Sequence, residues 1–315
     1  MSSVLLSSPL QGFTDYRFRN AFQKHFGGID TYYAPYIRLN GKLEIKPVYD
    51  RDLQLKNNQT LEVIPQIMTN DADEFLFVAK YVKKLGYKEL NWNLGCPYPM
   101  VINRKMGSGL IEDPQRIENI LKKVHDKSDI IVSMKMRLGY NTPEEILDVF
   151  PVLDKFPIKN VAIHARIGKQ LYKGGVDLPS FRNCLDKTKH KLYYNGDINS
   201  VAEYRRRVEE FPEIDHWMIG RGLIADPFLP SMIKSNTEAY PKDRFDRLEM
   251  FQAELYAEFE NGLSGTKAVH QKMMSYWEYF TEKLEDPNFI LRKVKKAKTK
   301  EEYDMAVHDY LQFQK

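Results

Sequence analysis

Five places in this chain carry residues that could do chemistry. Cys96 lies in Asn93-Leu94-Gly95-Cys96-Pro97, where a glycine and a proline impose a tight, constrained turn. Cysteines in regular elements are usually buried hydrophobes, and Cys184, inside the helical-looking Ser180–Asp186, suits that role. A cysteine on a constrained loop is better placed for thiol chemistry. Lys135 sits in the apolar run Ile130–Met136. An ammonium there needs an ion-pair partner inside the protein or an electron-rich cofactor ring to stabilise. His164 ends another apolar run and reads equally as a hydrogen-bonded core imidazole or as a cofactor contact. Asn195-Gly196-Asp197 and Gly220-Arg221-Gly222 are turns whose backbone N–H groups could approach an anion without a Cβ in the way, with Arg221 as a forked cation. Taken singly, each is also a plain turn.

The elements that must position these groups follow from periodicity. Apolar, β-branched runs predict strands at Val4–Ser8, Thr31–Tyr36, Glu62–Met68, Glu89–Leu94, Ile130–Met136, Asn160–His164, Lys191–Tyr194 and His216–Ile219. Helical patterns with polar caps lie between them, over Asp71–Leu85, Pro114–Val124, Pro143–Leu153 and Ser200–Phe211. Strands alternating with helices point to a (β/α)8 TIM barrel, of α/β class. An open dinucleotide-binding sheet would need a glycine fingerprint after its first strand, and Pro9-Leu10-Gln11-Gly12 is not one. A barrel places its site on the loops after the strands. That rule gathers Pro9, Leu10, Gln11, Gln66, Cys96, Lys135, His164, Asn195 and Arg221 at one mouth. The last two such loops commonly hold a phosphate. Past Pro241 the strand signals stop. We read residues 1–241 as the barrel and 242–315 as a smaller all-helical domain, with a basic cluster at Arg292, Lys293, Lys295, Lys296, Lys298 and Lys300.

Composition narrows the class. The 315 residues are 43% hydrophobic and 29% charged, ordinary for a globular protein, and the net charge of +4 implies no strong global steering toward nucleic acid. The two cysteines lack zinc-ligand spacing, so no metal site is expected. No leader-like segment or spanning apolar stretch is read, which makes a cytoplasmic protein the expectation. A monomer is the default.

Read in order, the motifs resemble one family. Pro9-Leu10-Gln11-Gly12-Phe13-Thr14-Asp15 with Phe18-Arg19, Gln66, Asn93-Leu94-Gly95-Cys96-Pro97, Gly107-Ser108-Gly109-Leu110-Ile111, Lys135-Met136-Arg137-Leu138-Gly139, His164-Ala165-Arg166, Asn195-Gly196-Asp197 and Met218-Ile219-Gly220-Arg221-Gly222 are similar to those of flavin-dependent tRNA-dihydrouridine synthases. The resemblance covers roughly residues 4–227. It implies an FMN-binding barrel followed by a helical tRNA-binding domain, with NADPH as reductant. It implies that Pro9, Leu10, Gln11, Gln66, Lys135 and His164 surround the isoalloxazine, and that Asn195, Gly196, Asp197, Gly220 and Arg221 hold the ribityl phosphate. Asn93 would hydrogen-bond the uracil, and Tyr172 would touch the substrate. The implied reaction adds hydride from flavin N5 to uracil C6 and a proton from Cys96 to C5 of a flipped-out uridine. Leu10, Gln11, Lys105, Ala165 and Ile167 depart from the family's usual residues, and they leave the target uridine open. Two rivals are an FMN barrel reducing a small molecule and a non-catalytic RNA-binding barrel. The helical tail argues against the first, and the joint presence of Cys96, Lys135, His164 and Arg221 argues against the second.

Overall fold

The computed structural model describes residues 3–315. Nine strands form a single all-parallel sheet: β1 Val4–Ser7, β2 Thr31–Tyr33, β3 Val63–Ile64, β4 Gln66–Ile67, β5 Glu89–Leu94, β6 Ile131–Gly139, β7 Ile158–Ile167, β8 Leu192–Asn195 and β9 His216–Ile219. Their order is β3-β2-β1-β9-β8-β7-β6-β5-β4. Its two outer strands, β3 and β4, are consecutive segments of one extended run, broken at Pro65. Proline has no N–H for the ladder, so the predicted third strand Glu62–Met68 divides there. The Pro65 carbonyl still accepts from Asn91 N at 2.9 Å, which carries the ring across the break. The result is the expected eight-unit barrel.

Local signals set the helix boundaries. Asp71 accepts from the N–H groups of Asp73 and Glu74 and starts the helix Ala72–Leu85, which Gly86 ends at φ 103°. Asp113 caps Pro114–Lys127, three residues longer at its C-terminus than the periodicity predicts. Ser200 caps Val201–Glu210. The predicted Pro143–Leu153 helix starts at Glu145, because the Glu145 carboxylate is spent on the N–H groups of Tyr140, Asn141 and Thr142. Cys184 ends the helix Leu178–Cys184, fully buried, with its thiol donating to Ser180 O.

Strand signals do stop after His216–Ile219, and from Arg244 onward the chain is helical: Arg244–Glu260, Thr266–Phe280, Pro287–Lys296 and Lys300–Phe313. These helices share the barrel's core. Phe251 packs edge-on against Phe26 at 4.9 Å and Phe18 at 5.9 Å, and one continuous hydrophobic cluster runs from Leu5 to Leu311. Polar contacts reach further, to the loop after β1 and the start of the helix Tyr16–His25 that follows it. Lys272 Nζ donates to Gly12 O, Tyr276 Oη to Phe13 O, and Arg17 Nε to Glu258 O at 3.1 Å. Thus the helical segment clasps the loop that begins the site. No helix among the described residues is long and apolar enough to cross a membrane.

Candidate active site

A cavity of about 240 Å³ opens at the C-terminal ends of the strands. Its wall includes Pro9, Leu10, Gln11, Asn93, Cys96, Lys135, His164, Tyr172, Asn195, Gly196, Asp197, Gly220 and Arg221. The structure therefore brings together every residue singled out from the sequence except Gln66.

Gln66 is fully buried beneath the cavity. Its register opposite Asn91 on β5 aims its amide along the barrel interior. Nε2 donates to Asn91 Oδ1 at 2.7 Å, and Oε1 accepts from Asn93 Nδ2 at 2.8 Å. Asn91 in turn donates to Ser133 Oγ at 2.9 Å. Asn93 Oδ1 accepts from the N–H groups of Gly95 and Cys96 at 3.0 and 2.9 Å. A chain of satisfied amides thus runs from the barrel floor to the Cys96 turn, where each bond polarises the next. The Asn93 carbonyl is committed to that turn, which leaves a single amide hydrogen for any ligand.

Cys96 is held from the other side as well. Ser108 N and Oγ both donate to Cys96 O, at 3.1 and 3.3 Å. Gly107 passes with φ 57° so close that a Cβ there would lie 2.4 Å from Cys96 O. The side chain is 8% exposed and packs with Met68, Val101 and Met106. Burial raises the thiol's pKa above the usual cysteine range, against smaller opposing effects of the Tyr98 backbone N–H, Tyr36, Arg137 and Arg38. At neutral pH this is a protonated thiol and a potential acid, not an activated nucleophile.

Opposite stands an excess of cations. Lys135 shares its strand face with Arg137, and His164 with Arg166, because side chains two residues apart point the same way. Burial, aided by Arg137, pushes the Lys135 ammonium down to about 7. Arg137 reaches from Gly95 O (3.1 Å) to Ile167 O (2.7 Å), and burial pulls it to about 10. Arg166, 2% exposed, grips both Asp197 oxygens and donates to His164 Nε2 at 3.0 Å. A guanidinium cannot accept, so His164 Nε2 is the acceptor and Nδ1 carries the proton. Burial and the cations around it hold His164 neutral, well below the usual histidine range. Asp197 also pairs with Arg221 at 3.6 Å and is the only carboxylate on the cavity wall among the described residues. Its φ of 41° is a left-handed conformation that Asp tolerates better than most residues. Tyr172 lies between two guanidiniums, Arg137 at 5.3 Å and Arg221 at 4.7 Å from its ring centre.

The model of the dihydrouridine synthase family matches residues 5–314. The chain belongs to the dihydrouridine synthase family. It is 27% identical over 267 residues to a probable tRNA-dihydrouridine synthase of Helicobacter pylori, covering 80% of this chain and 78% of that protein. With tRNA-dihydrouridine synthase B of Pasteurella multocida it shares 28% over 245 residues, 76% and 71% of the two chains. With a tRNA-dihydrouridine(16) synthase of Cupriavidus necator it shares 26% over 291 residues, 90% and 86%. Among solved structures, a 2-naphthoyl-CoA reductase complex has a TM-score of 0.57 at 13% identity, over 74% of this chain and 50% of that one. A morphinone reductase has a TM-score of 0.52 at 9% identity, over 74% and 86%. Both share the fold.

Several wall residues of this dihydrouridine synthase family member were not singled out from the sequence. Arg137 had a legible signal, as did Arg166 just behind the wall, since each stands two positions beyond a polar residue on the same strand face. Tyr36 and Tyr98 flank Cys96 without any local pattern to mark them. Tyr279 comes from the helix Thr266–Phe280 and meets Phe13 edge-on at 5.2 Å, so the helical segment supplies part of the wall.

Proposed function

We propose that this chain reduces the C5=C6 bond of specific uridines in tRNA, with FMN as cofactor and NADPH as reductant. The observation that carries the reading is the pairing within one cavity of a neutral, buried thiol with an unbalanced cluster of cations. The names of the relatives support tRNA as the substrate.

The residues present fit a flavin. Lys135 Nζ and His164 Nδ1 have no hydrogen-bond partner among the described residues, yet both side chains line the cavity. These are free donors suited to an electron-rich ring edge. Gly196 and Gly222 leave no room for a Cβ, which would meet Val176 Cγ1 at 2.7 Å and Ile198 O at 2.3 Å. With Asn195, Gly220 and Arg221 they form a cationic cradle for the phosphate. Asp197 sets the cradle by anchoring Arg166 and Arg221 rather than by touching an anion itself. Pro9, Leu10 and Gln11 supply the wall from β1.

Held by these residues, a reduced flavin would supply hydride chemistry at uracil C6. The chain's own contribution is to hold the base, keep water out and deliver a proton. Cys96 Sγ–H donates that proton to C5, and a thiol kept protonated by burial is suited to the task. Asn93 keeps the thiol in place and offers its remaining amide hydrogen to the base. Tyr172, held by two guanidiniums over its ring, lines the cavity where the base would sit and touches the substrate there. Residues 242–315 serve as the RNA-binding part. There, Arg292, Lys293, Lys295, Lys296 and Lys298 form no ion pair among the described residues.

A Cys96→Ala variant should keep its yellow flavin and lose dihydrouridine formation by roughly 10²- to 10⁴-fold. Full activity in that variant rules out Cys96 as the acid. Purified protein without flavin absorbance, or unchanged dihydrouridine in tRNA from cells lacking the protein, rules out the reading as a whole.

A further inference from the structure

If Cys96 gives up a proton in every turnover, something must return it. The surroundings of Sγ are mostly apolar, with Met68, Val101 and Met106 packed against it. Tyr36 is the one side chain within hydrogen-bond reach among the described residues, its Oη 4.0 Å from Sγ. It comes from the segment after β2, is half-buried and lines the same cavity. The other groups facing the thiol are two guanidiniums, a backbone N–H, and two side chains with exchangeable protons, Lys135 and Tyr172, that make no hydrogen bond to Sγ. The guanidiniums are those of Arg38, from the same segment as Tyr36, and Arg137 from β6, and the N–H is that of Tyr98 in the Cys96 loop. Arg38 and Arg137 favour a transient thiolate.

We infer that Tyr36 is the proton partner of Cys96: its hydroxyl orients the thiol and returns a proton to Sγ after each turnover. The inference rests on the proposed role of Cys96 as acid. In the reloading step the Oη–H bond breaks as the Sγ–H bond forms, and Oη takes a proton from water. Net, one thiolate and one water become one thiol and one hydroxide released to bulk. No electrons move. Burial keeps the phenol itself protonated well above its usual range, so the transfer is concerted and leaves no standing phenolate. Cys96 is 8% exposed and a bound base covers the remainder, which makes a relay through Tyr36 the short route to solvent.

The test is Tyr36→Phe, which keeps the ring and removes the hydroxyl. Flavin absorbance confirms that the variant is folded and loaded. The first readout is the pH dependence of iodoacetamide alkylation at Cys96, followed by mass spectrometry of the Cys96 peptide. Loss of a donor to the thiolate should raise the apparent thiol pKa by about one unit. The second readout is turnover with excess dithionite, so that flavin reduction does not limit the rate. The first turnover should stay within about threefold of wild type, while sustained turnover should fall roughly tenfold. An alkylation profile that does not move, or sustained turnover that keeps pace with the first, overturns the inference. Cys96→Ala run alongside separates the two ideas. Retained activity there removes the acid role itself, whereas an inactive Cys96→Ala beside an unaffected Tyr36→Phe removes only the relay.

Discussion

Lys135 offers a quantitative check on the electrostatics of the site. In the unfolded chain its pKa is near the ordinary 10.5, and in the folded protein burial brings it to about 7. Below pH 7 both states hold the proton, so the folded state bears the full cost of a desolvated ammonium. Above pH 7 the folded state releases that proton while the unfolded state keeps it. The unfolded state then binds more protons, and stability rises with pH. The slope is about 1.4 kcal/mol per pH unit for a single group in this window. Between pH 7.5 and 9.0 the contribution of Lys135 therefore improves by about 2 kcal/mol. Other groups titrate over the same range, so the quantity to measure is the difference between wild type and Lys135→Met. Urea unfolding of flavin-free protein at several pH values supplies it. Lys135→Met should be the more stable protein at pH 7.5, and its advantage should shrink by about 2 kcal/mol by pH 9.0. In flavin-loaded protein the slope should flatten, because an electron-rich partner restores the ammonium. A wild-type-minus-variant difference that is level with pH in flavin-free protein would refute the argument. It would mean that Lys135 stays charged through a partner or through water.

Three further expectations follow from the same geometry. Gln66→Ala strands the amides of Asn91 and Asn93 and should cost roughly 2–4 kcal/mol in denaturant unfolding, with activity falling as the Cys96 turn loosens. Asp197→Asn leaves the buried Arg166 without its bidentate partner; it should lower stability by roughly 3 kcal/mol and weaken flavin retention on dialysis. Replacing Lys295, Lys296 and Lys298 with serine should leave flavin binding and the melting temperature nearly unchanged. It should reduce tRNA affinity and make the plot of log affinity against log salt shallower by up to about three phosphate contacts' worth.

The residues differ in how openly they announced themselves. Cys96, Lys135, His164, Asn195 and Arg221 were legible because each interrupts or ends an apolar run, and a barrel gathers strand ends on one rim. Gln66 met the same criterion but lies in the layer below, since its amide is matched in register by Asn91. The same structure shows Asn93 and Asp197 engaged mainly with the protein, one hydrogen-bonding to a turn and the other to Arg166 while pairing with Arg221. Only the competing partners, which lie on other strands, reveal how such donors and acceptors are used.

The sequence by itself determined the barrel, the presence of its strands and most of the groups around the cavity. These follow from apolar runs, helix caps and the common direction of parallel strands, together with the ordered motifs that resemble one family. Tertiary structure alone decided which of those groups remain free for a ligand and which distant residues join them. Tyr36 meets Cys96 across 60 positions of chain, and Tyr279 reaches the loop after β1 from the far end of the molecule. Hydrogen-bond capacity is finite and shared among neighbours in space, so the state of the Cys96 thiol depends on packing that no local pattern records.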